Sequence, residues 1–318
     1  GVNVSGKLPK LSGSFVFGDK QETMKVVEAL NLFIGNHLKW KEKMEFIRFY
    51  RHIRKLDIDT LNEISLEEYL TTMVSSKQVR ELIKAFVRVS TFTNNPEIIS
   101  ARVAIGQLRS AKVIYVNEGW QSIVDDLATK ATQLGVTIKC NAIVTEISGV
   151  FPTMNINLKE KDSFSANCIL STINPHDLVK LVNEQPSATF VHKYKTMIPV
   201  RAACLDLVMT GLPNPKLNFA LGVDKPWYFS NHSTVAKLSD KPEEHVIHVM
   251  KYLDSLIETD PIKDEQELEG FLDGIQPGWR KFVISRRFLP KLLVSNAIKT
   301  PSNDRSGDDL NQAEIGID

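Results

Sequence analysis

Several features that mark whole classes of protein are missing from this chain. No apolar run approaches the ~20 residues of a membrane-spanning helix, and the opening residues, where Val2, Asn3, Ser5 and Lys7 mix, lack the apolar core of a signal peptide. Cysteine is scarce. Cys140, Cys168 and Cys204 stand alone in apolar, strand-like runs without CxxC or Cys/His spacing, which points to reduced, buried thiols in a cytoplasmic protein. The seven histidines form no pair at ligand spacing, so no metal is expected. Neither sign of charge is in excess: a net +1 over 318 residues argues against a protein built mainly to hold nucleic acid. Nor does the sequence hold a G-x-G-x-x-G turn or a P-loop.

What remains is ordinary globular material, 42% hydrophobic and 24% charged, long enough for about two domains with cores of their own. Residues 1–14, rich in Gly, Ser and Lys, read as a poorly ordered lead-in. Apolar spacing predicts helices over 20–38 and 40–56, the second strongly basic through Lys39, Lys41, Lys43, Arg48, Arg51, Arg54 and Lys55. Such a helix is either a contact for an anionic membrane surface or a solvated face. Ser65 and Glu68 match a capping box, a helix follows over 78–92, and Asn95-Pro96 reads as the start of another running toward Arg109. The first ~110 residues thus read as helical, with no strand.

The stretch 115–175 predicts strand, helix, strand, hairpin, strand. Trp120, Ile123, Val124, Leu127, Ala131 and Leu134 form one apolar stripe. Gly135 ends the helix, since a left-handed cap residue is best without a Cβ. The β-rich run 136–139 follows at once, as in a βαβ unit with a parallel sheet. Alternation predicts a hairpin over 154–158 and 164–170, a buried strand over 168–175 and a short helix over 176–182. Strands over 200–209, 217–223, 227–230 and 245–253, parted by prolines, predict a separate antiparallel or mixed sheet. A helix over 264–272 and a strand over 281–288 close the pattern. Residues 301–318, rich in Ser, Asn, Asp and Gly, read as a mobile tail.

The order Tyr115-Val116-Asn117-Glu118-Gly119-Trp120, then Gly135-Val136-Thr137-Ile138 leading to Val144-Thr145-Glu146-Ile147, then Ser171-Thr172-Ile173-Asn174-Pro175 resembles the middle of the FAD-dependent amine oxidase and phytoene-desaturase superfamily. Ala202-Ala203-Cys204-Leu205-Asp206-Leu207, Trp227-Tyr228-Phe229-Ser230-Asn231-His232-Ser233 and Phe288-Leu289-Pro290-Lys291 fall in the order that resemblance expects. The resemblance implies an α/β plus α+β chain: an incomplete, Rossmann-like FAD-binding domain over 112–186, with a substrate domain of helices (1–111) and mixed sheet (187–300). It also implies a glycine turn near the start, which this sequence does not show, and a Gly-Asp pair reaching the flavin that would begin about where the chain stops, at Ile317-Asp318. The expectation is therefore the interior of a longer flavoprotein.

By the same resemblance, FAD would meet Val144 through its backbone, Gly119 as the second glycine of a Gly-Gly pair whose first is here Glu118, and Ser171, Thr172, Asn174 and Pro175 at a strand end. The plainer alternatives are a core valine and simple turn chemistry. The implied function is FAD-dependent oxidation or desaturation of an apolar or amine-bearing small molecule, the flavin taking the hydride. Trp227, Tyr228, Phe229 and His232 are candidate substrate contacts. A strand puts Trp227 and Phe229 on one face and Tyr228 on the other, so the first pair equally fits core packing. His232 is either an acid/base group or a hydrogen-bonding loop residue. A reading from another class is a non-catalytic binding or membrane-surface module that uses the basic helix at 39–55.

Overall fold

A computed structural model describes residues 4–9, 13–18, 24–110, 113–183, 192 and 194–304. They fall into two compact units, Gly1–Asp126 with Pro199–Asp304, and Leu127–Ile198 with Arg305–Asp318.

In chain order the described strands are β1 (Gly6–Lys7), β2 (Ser14–Phe17), β3 (Lys25–Glu28), β4 (Tyr115–Val116), β5 (Val144–Val150), β6 (Thr153–Leu158), β7 (Ser163–Ala166), β8 (Val200–Met209), β9 (Phe219–Gly222), β10 (Trp227–Asn231), β11 (His245–Tyr252) and β12 (Val283–Ser295). The helices used below are α1 (Ala29–Ile34), α2 (Trp40–Ile53), α3 (Leu66–Met73), α4 (Lys77–Thr91), α5 (Ala101–Ser110), α6 (Trp120–Gln133), α7 (Pro175–Leu181) and α8 (Pro261–Ile275). Mixed and antiparallel sheets with helices make this a mixed α/β chain.

The larger unit is organised on a seven-stranded sheet of order β12-β8-β11-β10-β9-β2-β3. All its ladders are antiparallel except β2 with β9. Alternation along β8 sends Ala203, Leu205, Leu207 and Met209 to one face, where Trp227 and Phe229 of β10 and Ile247 and Val249 of β11 join them. Helix α8 covers that face with Leu268, Phe271, Leu272 and Ile275, and Trp227 stacks on Phe271 at 5.0 Å. Lys251 of β11 is ion-paired to Asp264 (2.9 Å) and to Glu267 of α8, fixing the helix over the sheet. Helices α2 to α5 build a second core around Phe46, Phe49, Leu70, Ile83 and Ile105. Phe86 of α4 reaches Phe15 of β2 edge-on at 5.4 Å.

Local chemistry explains several helix ends. The Glu68 N–H donates to Ser65 Oγ (3.2 Å) and the Ser65 N–H to Glu68 Oε2 (2.7 Å), the reciprocal box expected at α3. Gly135, at φ +83°, donates to Thr132 O while Val136 donates to Ala131 O, both 3.0 Å. That is a Schellman closure of α6.

Other expectations fail, for physical reasons. Residues 14–17 and 25–28 are strands, and α1 is confined to Ala29–Ile34, because β9 offers β2 a parallel ladder that outweighs the helical spacing. Asn95-Pro96 starts a turn and α5 begins only at Ala101; the Asn95 carboxamide instead bonds Asp254 (2.7 Å) and receives the Ser255 N–H (2.9 Å). The lead-in is ordered where described, since Gly6 and Lys7 pair with Val116 and Tyr115. At the other end Asp304 accepts from Ser100 Oγ at 2.6 Å and pairs with Arg102. Residues 305–318 of the expected tail lie outside the described residues.

The smaller unit holds the antiparallel meander β5-β6-β7 and helix α7. The hairpin expected around Lys161 is present, but 136–139 and 168–174 form no strand. No βαβ unit occurs among the described residues, because a strand needs a ladder partner and neither segment has one. Ile147 is the one buried hydrophobic side chain among the described residues of 127–198. The stripe of α6 is open instead of packed, with Trp120 79% and Leu134 75% exposed, as is Leu170 at 91%. Cys140 and Cys168 are exposed and only Cys204 is buried, correcting the expectation for the first two thiols.

Truncating Phe271 tests the packing of α8 on the sheet. Phe271→Ala should cost roughly 3–5 kcal/mol in chemical denaturation, whereas Trp120→Ala, at an exposed position, should change stability by no more than about 0.5 kcal/mol.

Candidate functional site

The second face of the seven-stranded sheet carries a polar row beside a small apolar cluster of Ala202, Cys204, Met250 and Tyr252. Register puts Ser230 of β10 opposite His248 of β11, His248 opposite Asp206 of β8, and Asp206 opposite Arg287 of β12. These four form one row across the sheet, on the side away from α8. In the next row Tyr228 lies opposite Met250, Met250 opposite Cys204, and Cys204 opposite Leu289. The same alternation that buries Leu205 and Leu207 thus sets a carboxylate, an imidazole and a guanidinium side by side.

The row is wired locally. His248 Nδ1 lies 2.6 Å from Asp206 Oδ1, each side chain being about a third exposed. The ring of His232, in the turn just after β10, sits 4.2 Å from the His248 ring and 4.3 Å from the Tyr115 ring of β4. Tyr115 Oη is 3.4 Å from Ser230 Oγ. Burial, reinforced by the neighbouring His248 and offset in part by Asp206, lowers the pKa of His232 to about 3. His232 is therefore neutral at physiological pH, and its buried Nε2 has no hydrogen-bond partner among the described residues. Burial first, and then the nearby Tyr115, raise the Tyr228 phenol well above its ordinary value. Burial likewise pushes the Cys204 thiol up to about 12, which leaves it protonated and unreactive.

Of the residues named from the sequence, Tyr228 and His232 belong to this face. Trp227 and Phe229 do not. They are 3% and 0% exposed, and the Trp227 indole N–H donates to Glu267 Oε1 at 2.9 Å, so packing is their role and the substrate assignment is corrected for both. Asp206, His248, Tyr115 and Ser230 were not singled out as site residues. A carboxylate amid the apolar run 202–209 of β8, and a histidine in step with Met250 and Tyr252 on β11, are the signals that could have found them.

The proposed cofactor contacts are placed as follows. Gly119, at φ +74°, belongs to the larger unit and has open space where a Cβ would stand. Val144 begins β5 opposite Leu158. Ser171 and Thr172 are exposed. Asn174 caps α7, its carboxamide oxygen accepting the His176 N–H at 2.9 Å, with Pro175 as first helical residue. For a pyrophosphate, Asn174 is occupied by its own helix, and no glycine-rich turn exists to supply amide donors. The residues present do not by themselves supply a cradle for that part of FAD.

No family model matches the chain, and no curated protein does. Solved structures do. Wild-type putrescine oxidase bound to putrescine matches with a TM-score of 0.69 at 11% identity, covering 99% of this chain and 76% of that one. The fold is that of the amine oxidase-like flavoproteins. An oxidoreductase from Methanosarcina mazei matches at 0.68 with 15% identity, over 93% and 73% of the two chains. Cyclohexylamine oxidase from Brevibacterium oxydans IH-35A matches at 0.61 with 11% identity, over 91% and 68%.

The neutral His232 sets a pH dependence. Its folded pKa lies below its unfolded one, so the unfolded chain binds a proton that the folded chain refuses. Stability from this group is whole above pH ~6.5 and is lost as pH falls toward 3. His232→Phe keeps a ring between Tyr115 and His248 but cannot titrate. Its stability, followed by denaturation between pH 6.5 and 4, should fall less steeply than the wild type's by up to about 1.4 kcal/mol per pH unit.

Proposed function

We propose that this chain is the substrate-facing interior of a FAD-dependent oxidoreductase of amine oxidase or desaturase type, in which a hydride leaves a C–H bond of an amine or apolar substrate for the flavin. The observation that carries the reading is the Asp206–His248 pair, 2.6 Å apart and half open on a sheet face of this fold. A protonated amine cannot release hydride from its α-carbon, because the nitrogen lone pair that would stabilise the resulting cation is occupied. His248, oriented by Asp206, would take the ammonium proton at Nε2, leaving the free amine beside Tyr115 and Tyr228. The neutral His232 adds no repelling charge to an incoming cation. Arg287 at the end of the row would balance Asp206.

The wider reading is supported by the exposed stripe of α6 and the exposed Leu170, apolar surfaces of the sort that a fuller FAD-binding domain would cover. It agrees with the chain spanning 73% and 76% of two of the solved structures it matches. Backbone contacts to FAD are proposed for Gly119 in the larger unit and, separately, for Val144, Ser171, Thr172, Asn174 and Pro175 in the smaller one.

The test is anaerobic reduction. The full-length protein that contains this interior should show flavin absorbance that bleaches when a primary amine is added. His248→Gln should slow that bleaching by about a hundredfold with flavin fluorescence quenching on binding unchanged. A flavin that binds but is not reduced by amines or by apolar substrates, or a variant that bleaches at the wild-type rate, would sink the assignment.

A further inference from the structure

Helix α2 presents two unlike faces. Phe46, Phe49 and Ile53 turn into the helical core. On a wheel of 100° per residue, Arg54, Ile47, Trp40, Arg51, Met44, Lys55, Arg48, Lys41 and His52 fall within an arc of about 160°, and all are exposed. Five of the nine are permanent cations and none is acidic, in a chain whose net charge is only +1.

The two carboxylates of the helix are spent elsewhere. Glu42 receives the Lys39 N–H (2.7 Å) and Ser76 Oγ (2.9 Å). Glu45 receives the Ser75 N–H and Oγ and the Ser76 N–H within 3.0 Å, which together with Arg48 holds it ionised against its partial burial. Glu45 thus offsets Arg48 in part, while Glu42 is engaged outside the arc. Among the described residues no ion pair engages Lys41, Arg51, Arg54 or Lys55.

Between these cations stand three large apolar side chains at i, i+4 and i+7. Trp40 is 73% exposed, Met44 39% and Ile47 42%. Trp40, Lys41, Met44 and Arg48 also line an open groove of about 560 Å³ together with Ser75, Ser76 and the serine-bonded carboxylates Glu42 and Glu45. Exposing tryptophan and isoleucine to water is unfavourable, and cations alone would serve a polyanion without them. A surface that rewards both is the headgroup region of an anionic bilayer, where indole and aliphatic side chains enter the acyl boundary and Lys and Arg meet phosphate. No helix among the described residues is long and apolar enough to cross a membrane, so the contact is one of surface. We propose that the exposed arc of α2 docks the protein on anionic phospholipid membranes. This goes beyond the oxidoreductase reading and does not depend on it.

The test is co-sedimentation with vesicles of phosphatidylcholine alone or with about a third phosphatidylglycerol. Binding is expected only to the anionic vesicles, weakening steeply as salt rises from about 0.05 to 0.5 M. The variant R51Q/R54Q/K55Q should bind about a hundredfold more weakly. Trp40→Ser should bind about tenfold more weakly with its salt dependence kept. All these positions are exposed, and circular dichroism checks that each variant is folded. Absence of vesicle binding, equal binding to neutral vesicles, or variants that bind like the wild type would overturn the proposal. So would a salt-sensitive complex with duplex RNA, indifferent to Trp40→Ser, in place of vesicle binding.

Discussion

Successive side chains of a strand point to opposite faces, and in β8, β10 and β11 that rule is enforced by burial. One face lies under α8, locked by Trp227 on Phe271 and by Lys251 between Asp264 and Glu267. A slip of one residue would carry Leu205 and Leu207 into solvent and Asp206 into the apolar core, at the cost of an unpaired buried charge. The packing beneath the sheet therefore fixes the register of the polar row above it. Ser230, His248, Asp206 and Arg287 are neighbours because Phe229, Val249 and Leu205 are core.

The proposed chemistry needs little more than this. A carboxylate orients an imidazole, a second imidazole is kept neutral by burial, and burial keeps the Tyr228 phenol protonated beside them. Each condition follows from the environment of the group rather than from its identity: burial, with a ring nitrogen left unpartnered, shifts His232 far down. The comparisons supply the fold, while the proposed proton acceptance rests on Asp206 and His248 alone.

Much of this was legible in the sequence wherever the cause is local. The capping box at Ser65 and Glu68, the glycine closure after α6 and the bounds of β8 follow from rules acting within a few residues. The opposite orientations of Trp227 and Tyr228 follow from the pleat. Where a distant partner decides, the reading fails. Strand β2 exists because β9, some two hundred positions away, pairs with it. The apolar segment at 136–139 has strand composition but no ladder. The Asp206–His248 contact joins residues 42 apart, so only register, and not spacing, reveals it.

The larger unit is discontinuous. Its sheet begins with β2 and β3 near the start of the chain and is completed by β12 near residue 295, with 127–198 set between its two parts. During synthesis the early strands must wait for the central ones, since β2 pairs with β9 and not with anything made before it except the short β3. Loop closure over so long a stretch is paid before the ladder rewards it, which places this sheet among slow-folding topologies. The meander of β5 to β7, built from neighbours in sequence, can assemble while the sheet is still unfinished, and the exposed edge of β2 is meanwhile a hazard for pairing with other chains.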